Sequence, residues 1–202
     1  MIEPIFERDF AATSYGFRPK CGCHDALREV DALIKDGYTF VVDADLQAYF
    51  DSIPHEPLME RVKAKVSDGR LLDLIGSWLT AEIMNGMERW TPTVGSPQGA
   101  VISPLLANIY LDPLDHLMAA EGYRMVRYAD DFVILTRSRE QTDAALALVS
   151  RWVGDNGLTL HPSRPACICT TKTHIGDCRQ PGEGFEFVVR STRHAPRARH
   201  DA

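Results

Sequence analysis

The 202-residue chain contains no uninterrupted apolar run of transmembrane length, which argues against a spanning helix. Its opening residues carry Glu3 and Glu7, too early for the basic-then-apolar pattern of a secretory signal. Five cysteines, an odd number in a chain this long, favour reduced thiols over a disulfide framework. Together these features predict a cytoplasmic protein with no membrane partner. No Pro/Gly/Ser-rich linker and no internal repeat divides the sequence, so one core of ordinary size is expected. Basic residues are scarce: 22 Lys and Arg face 28 Asp and Glu, for a net charge of −6. Lys and Arg contacts to phosphate supply most non-specific nucleic-acid affinity, so this balance counts against autonomous binding. The positive charge present is uneven, with Arg179, Arg190, Arg193, Arg197 and Arg199 near the end. Residues 188–202 are expected to form a basic, disordered tail.

Against that background, residues 124–137 stand out: an apolar strand, the adjacent carboxylates of Asp130 and Asp131, then a second apolar strand. Side chains alternate along a strand, so two consecutive aspartates converge on one ion only if a tight hairpin turns between them. Neighbouring carboxylates repel unless a cation or bulk water separates them. The flanking Val, Tyr, Phe, Ile and Leu argue against plain solvation.

Periodicity predicts a helix over 24–35 stopped by Gly37, then a buried strand over 38–44 running into Asp43 and Asp45. A helix starting at Pro57 is expected to end at Asp68 and Gly69, and a second to run from Leu72 through Ile83 to Asn85 and Gly86. Pro92, Gly95, Pro97 and Gly99 mark a loop. Ser103 and Pro104 then suit a helix start, with Ser103 as cap, Leu105, Ile109 and Leu117 towards the core, and a kink at Pro113. A helix over about 140–155, capped by Gly157, follows the hairpin. The order is an α+β plan with an antiparallel hairpin at its centre.

Asp43 and Asp45, two apart on a strand, share a face, and the Asp130–Asp131 hairpin has a place beside them. Such oxygen ligands suit Mg²⁺, which keeps several waters and completes its shell with substrate phosphates. Phosphoryl transfer is the reaction that follows. Taken singly, each motif reads equally well as surface acids or a solvated turn; the combination shifts the balance.

Four segments, in order, resemble the blocks of group II intron reverse transcriptases and maturases: Ser14 to Pro19, Asp43 to Asp51, Gly95 to Asn108 and Tyr128 to Asp131. The resemblance implies a right-hand polymerase fold with an antiparallel palm sheet and packed helices. It covers a reverse transcriptase domain over 1–187, with partial fingers over about 1–37 and palm over about 38–187. It implies RNA-directed DNA synthesis by two Mg²⁺ ions, with Mn²⁺ as a substitute, on an RNA template, a DNA primer and dNTPs, with intron RNA as a partner.

By the same resemblance Asp45, Asp130 and Asp131 are catalytic metal ligands, and Leu46 adds its backbone carbonyl. Phe50 matches the aromatic that lies under the incoming sugar, Gln98 and Gly99 the loop against the nascent base pair, and Arg18 a template or nucleotide phosphate contact. An Arg18 that merely braces the fingers is an equal alternative. Asp43 and Arg164 stand behind these residues; Arg164 occupies a place where lysine is usual, and arginine is a poor proton donor. The family's fingers begin earlier and its thumb follows later, so a fragment is expected, with no thumb. An inert truncated copy and an RNA-binding maturase fragment are the alternatives. A zinc site built from Cys21, Cys23, His24, Cys167, Cys169, His174 and Cys178 is disfavoured by single-residue gaps between its cysteines.

Overall fold

A computed structural model of the chain describes residues 2–81, 83–85, 88–90, 93–96, 100–161, 173–178 and 187. Two short helical segments, α1 (Glu3–Glu7) and α2 (Cys23–Lys35), precede the central strand β1 (Phe40–Asp45). Helices α3 (Tyr49–Ser52), α4 (His55–Lys63) and α5 (Gly69–Leu79) follow, then the hairpin β2 (Ile83–Asn85) and β3 (Glu88–Trp90). The long helix α6 (Ser103–Ala120) leads to β4 (Arg124–Tyr128), β5 (Asp131–Thr136), α7 (Arg139–Asp155) and β6 (Thr173–Asp177). The main sheet has the order β4-β5-β1-β6, every pair antiparallel, which makes the fold α+β.

Alternation along the strands gives the sheet two unlike faces. Val42, Ala44, Leu46, Met125, Phe132 and Ile134 point into the larger core with Leu106, Leu111 and Leu114 of α6 and Val149 of α7. On the reverse face Val41, Val126, Val133 and Leu135 pack under Ala26 and Val30 of α2. Helix α2 starts cleanly because the Asp25 carboxylate accepts the Gly22 amide at 2.9 Å, satisfying one orphan donor of the first turn. The remainder of that face, towards the C-terminal end of β1, carries Asp43 and Asp45.

Several sequence expectations shift here. Asp68 does not end α4; it caps α5, accepting the Arg70 and Leu71 amides at 2.9 and 3.2 Å. The helix expected to reach Ile83 stops at Leu79, because Ile83–Asn85 pairs with Glu88–Trp90 as a hairpin. Ser103 is the first helical residue of α6, and its hydroxyl accepts from the Ser96 hydroxyl at 2.6 Å, so it ties down the loop instead of capping. Helix α6 continues through Pro113 and buries residues on every side, Leu106, Tyr110, Leu114 and Met118 among them, because it lies between the sheet and α4. Leu105 and Leu117 are only partly buried. Strand β6 comes from the segment read above for its cysteines and histidine, and pairs Thr173–Asp177 with β1. The tail over 188–202 lies outside the described residues.

One charged pair lies inside the larger core. Arg127 of β4 and Asp115 of α6 are 1% and 0% exposed at their side chains, and two guanidinium nitrogens bond the carboxylate at 2.5–3.1 Å. Burial by itself would lower the Arg127 pKa, but the Asp115 charge and hydrogen bonds outweigh it and raise the value above its usual position. Removing one partner strands a buried charge. Asp115→Ala is therefore expected to lower unfolding free energy by about 3–5 kcal/mol, measured by denaturant titration.

Candidate active site

The register of β1 against β5 sets Asp45 directly opposite Asp131, with Asp43 opposite Val133 on the same face. Directly paired residues hold their Cβ atoms about 4.5–5.5 Å apart, so two carboxylates share one small patch. Asp43 and Asp45 are each 7% exposed, while Asp130 and Asp131 are half-buried. Strand β1 is held at this end from its other side: the His161 amide donates to the Asp45 carbonyl at 2.9 Å, and the Gln47 amide to the Thr159 carbonyl at 2.9 Å. The next residue, Leu46, bridges Leu160, and its side chain enters the larger core on the opposite face from the aspartates.

Between β4 and β5 the connection is two residues long, Ala129 and Asp130, closed by the Tyr128–Asp131 pair. Ala129 has φ +62°, and Ala48, three residues beyond Asp45, has φ +45°. Left-handed backbone at a residue with a Cβ costs of order 1–3 kcal/mol and persists only where its surroundings over-determine it. Both turns that present the aspartates carry this strain.

The surroundings of Ala129 are well defined. Arg127 Nη1 donates to the Ala129 carbonyl at 2.8 Å and to Asn108 Oδ1 at 3.0 Å. Asn108 Nδ2 in turn donates to the Gly16 carbonyl at 2.8 Å. Because a guanidinium only donates and a carbonyl only accepts, the Asn108 amide has one possible orientation. Main-chain bonds from Arg127 N to Thr13 O and from Tyr15 N to Arg127 O, both 2.9 Å, lay residues 13–16 along β4. A Cβ on Gly16 would come within 2.2 Å of the Ala129 nitrogen.

The loop before α6 docks beside Phe50. Ser96 N donates to Phe50 O at 2.6 Å, Gly95 N to Ile53 O at 2.8 Å, and His55 Nε2 donates to Gly95 O at 2.6 Å, so His55 is structural. Gly95 has φ +91°, and a Cβ built on it would come within 2.9 Å of the Asp51 backbone, so a side chain there would clash. Phe50 is half-buried and meets the Phe17 ring edge-on at a centroid distance of 6.2 Å. Gln98, Gly99 and Arg164 lie outside the described residues. Arg18 acts as a brace: its guanidinium pairs with Glu7 at 2.8–2.9 Å and donates to the Ala11 and Ser14 carbonyls at 2.6 and 2.7 Å. These bonds occupy most of its donors, so the structure favours the brace over the phosphate contact.

Among the described residues no three His, Cys, Asp or Glu side chains are gathered tightly enough to enclose a metal ion. Mg²⁺ commonly takes one or two carboxylates and leaves its other positions to water and substrate phosphate. Asp45 and Asp131 provide such a pair, with Asp130 and Asp43 adjacent.

The sheet order, the paired aspartates and the docked Gly95 loop define a polymerase palm, and the comparisons agree. Residues 1–174 match the family described as reverse transcriptase (RNA-dependent DNA polymerase), and the chain belongs to that family. Protein YkfC of Escherichia coli is 42% identical across 93% of this chain and 56% of its own length. The group II intron-encoded protein LtrA of Lactococcus lactis is 36% identical across 57% of the chain and 19% of its own length. A Candida albicans telomerase structure shares the fold at TM-score 0.60 and 13% identity, over 79% of this chain and 33% of that one. The chain thus spans between about a fifth and somewhat over half the length of these curated relatives. No helix among the described residues is long and apolar enough to cross a membrane.

Sequence reasoning missed Arg127, Asn108 and Asp115. The signal was present: Asn108 and Asp115 fall seven residues apart on one face of a largely apolar helix, and Arg127 follows the apolar pair Met125 and Val126 in its strand. Gly16→Ala should force residues 13–16 away from the hairpin. A loss of about 1–3 kcal/mol in unfolding free energy is expected from that overpacking, read as a lower denaturation midpoint.

Proposed function

We infer that this chain is the core of an RNA-directed DNA polymerase of a group II intron-type element, extending a DNA primer with dNTPs on an RNA template in the cytoplasm. The observation that carries the reading is the placement of Asp45 directly opposite Asp131 at the mouth of a two-residue hairpin, within a reverse transcriptase family match. Asp45, Asp131 and Asp130 would hold the Mg²⁺ ions, with the Leu46 carbonyl beside them and Asp43 behind. Two such ions, when bound, lower the pKa of a primer 3′-hydroxyl and stabilise departing pyrophosphate.

The protein's own groups position and exclude. Phe50, wedged against Phe17 and Tyr49, presents a fixed wall to the sugar of an incoming nucleotide, where its bulk disfavours a 2′-hydroxyl. Gly95 and Ser96, anchored to the Ile53 and Phe50 carbonyls, directly precede in sequence the segment with Gln98 and Gly99, the residues that would meet a nascent base pair. Intron RNA is a further partner by analogy with the intron-encoded relatives.

Primer extension on an RNA template with Mg²⁺ tests the reading. Wild-type protein should incorporate dNTPs, chelation with EDTA should stop it, and Asp131→Asn should lower the rate on the order of 100-fold or more. Template–primer binding without any extension would instead support an RNA-binding fragment that is catalytically inert.

A further inference from the structure

The buried Arg127–Asn108 network touches neither water nor the acidic patch, yet it ends on the one peptide that the patch depends on. Arg127 lies on the far face of β4 from Asp131, and its Nη1 reaches under the hairpin to the Ala129 carbonyl at 2.8 Å. That carbonyl belongs to the peptide joining Ala129 to Asp130. Its plane sets where Asp130 leaves the turn and where β5 begins with Asp131. Ala129 is held at φ +62°, a conformation that an alanine does not keep without support. The support is polar and complete on this side: Asp115 fixes two nitrogens of the guanidinium, and Asn108 fixes the third. Asn108 then carries the connection to Gly16, so the segment 13–16 and the hairpin are tied to one amide side chain of α6.

We propose that Asn108 and Arg127 are positioning residues for the metal-binding aspartates, acting through the Ala129 carbonyl to fix the angle at which Asp130 and Asp131 face Asp45. The role rests on the metal-dependent polymerase reading above. Asn108 is the residue to probe, because its removal leaves the Arg127–Asp115 ion pair intact while freeing the nitrogen that holds the turn. Groups that orient metal ligands from behind are worth 10–100-fold in metal affinity or activity, which sets the size of the effect.

The experiment compares Asn108→Ala with Met118→Ala, a cavity variant one face further along the same helix and remote from the hairpin. Asn108→Ser serves as a milder second variant. Mn²⁺ affinity is read by EPR titration, which needs no catalysis, and Mg²⁺ dependence by primer extension; thermal midpoints are recorded for all. Asn108→Ala should weaken Mn²⁺ binding and raise half-saturating Mg²⁺ by about tenfold, with a smaller shift in the same direction for Asn108→Ser. The KM for dNTP should move much less, and Met118→Ala should leave metal affinity near wild type despite its lower melting point. Metal affinity unchanged in the Asn108 variants, or weakened equally in Met118→Ala, overturns the positioning role. Wild-type protein that binds Mn²⁺ without extending a primer overturns the polymerase function alone, and the EPR comparison still decides the role of Asn108. Wild-type protein that binds no Mn²⁺ overturns both.

Discussion

A guanidinium placed in an apolar core without partners costs more than a small domain can spare, so Arg127 obliges the fold around it to supply acceptors. Asp115 meets the charge, Asn108 and the Ala129 carbonyl take the remaining directions, and the Arg127 main chain pairs with residues 13–15. These partners come from an N-terminal segment, from α6 and from the hairpin. One residue thereby ties helix to sheet and binds the opening segment to β4, the strand that leads into the aspartate hairpin. Replacing the pair with apolar residues of equal volume would keep a core, but it would release the turn.

The same economy governs the sheet. Its reverse face is split between an apolar half covered by α2 and an acidic half at the end of β1. Val41, Val133 and Leu135 gain from burial under Ala26 and Val30, while the nearly buried Asp43 and Asp45 and the half-buried Asp131 lie beyond that apolar half. Helix α2 ends at Lys35, and Gly37 at φ +90° turns the chain back into β1. The register that serves the core also puts Asp45 opposite Asp131, and a slip of either strand by one residue would turn its aspartates into the larger apolar core.

The parts of this arrangement that follow local rules were readable from the residues. The β-branched and aromatic run into Asp43 and Asp45, and the apolar runs on either side of Asp130–Asp131, pointed to a buried strand and a hairpin; helical spacing of apolar residues pointed to α2 and α7. Boundaries were less legible where one residue serves two neighbours. Asp68 reads equally well as the end of one helix or the cap of the next, and only the free amides of Arg70 and Leu71 decide it. Ile83 continues the period of α5 but pairs as a strand, a tertiary preference overriding a local one. The buried network was the least legible, since the partners of Arg127 lie 12, 19 and more than 100 residues away in the chain. A lone Arg in a strand says that a partner exists, and nothing local says where.

Net charge frames the remaining problem. A chain at −6 has no general attraction for phosphate, and its paired aspartates repel a polyanion further. In the proposed reaction that repulsion reverses once divalent cations occupy the patch, since bound ions are then the largest local charges and draw in the triphosphate. On that proposal, attraction for substrate would depend on the aspartates being held in the one geometry that captures cations well. An enzyme with basic grooves tolerates some looseness in its metal ligands; a chain this acidic does not, which is a physical reason for anchoring the Ala129 turn to a buried, fully bonded guanidinium instead of leaving it to a flexible loop.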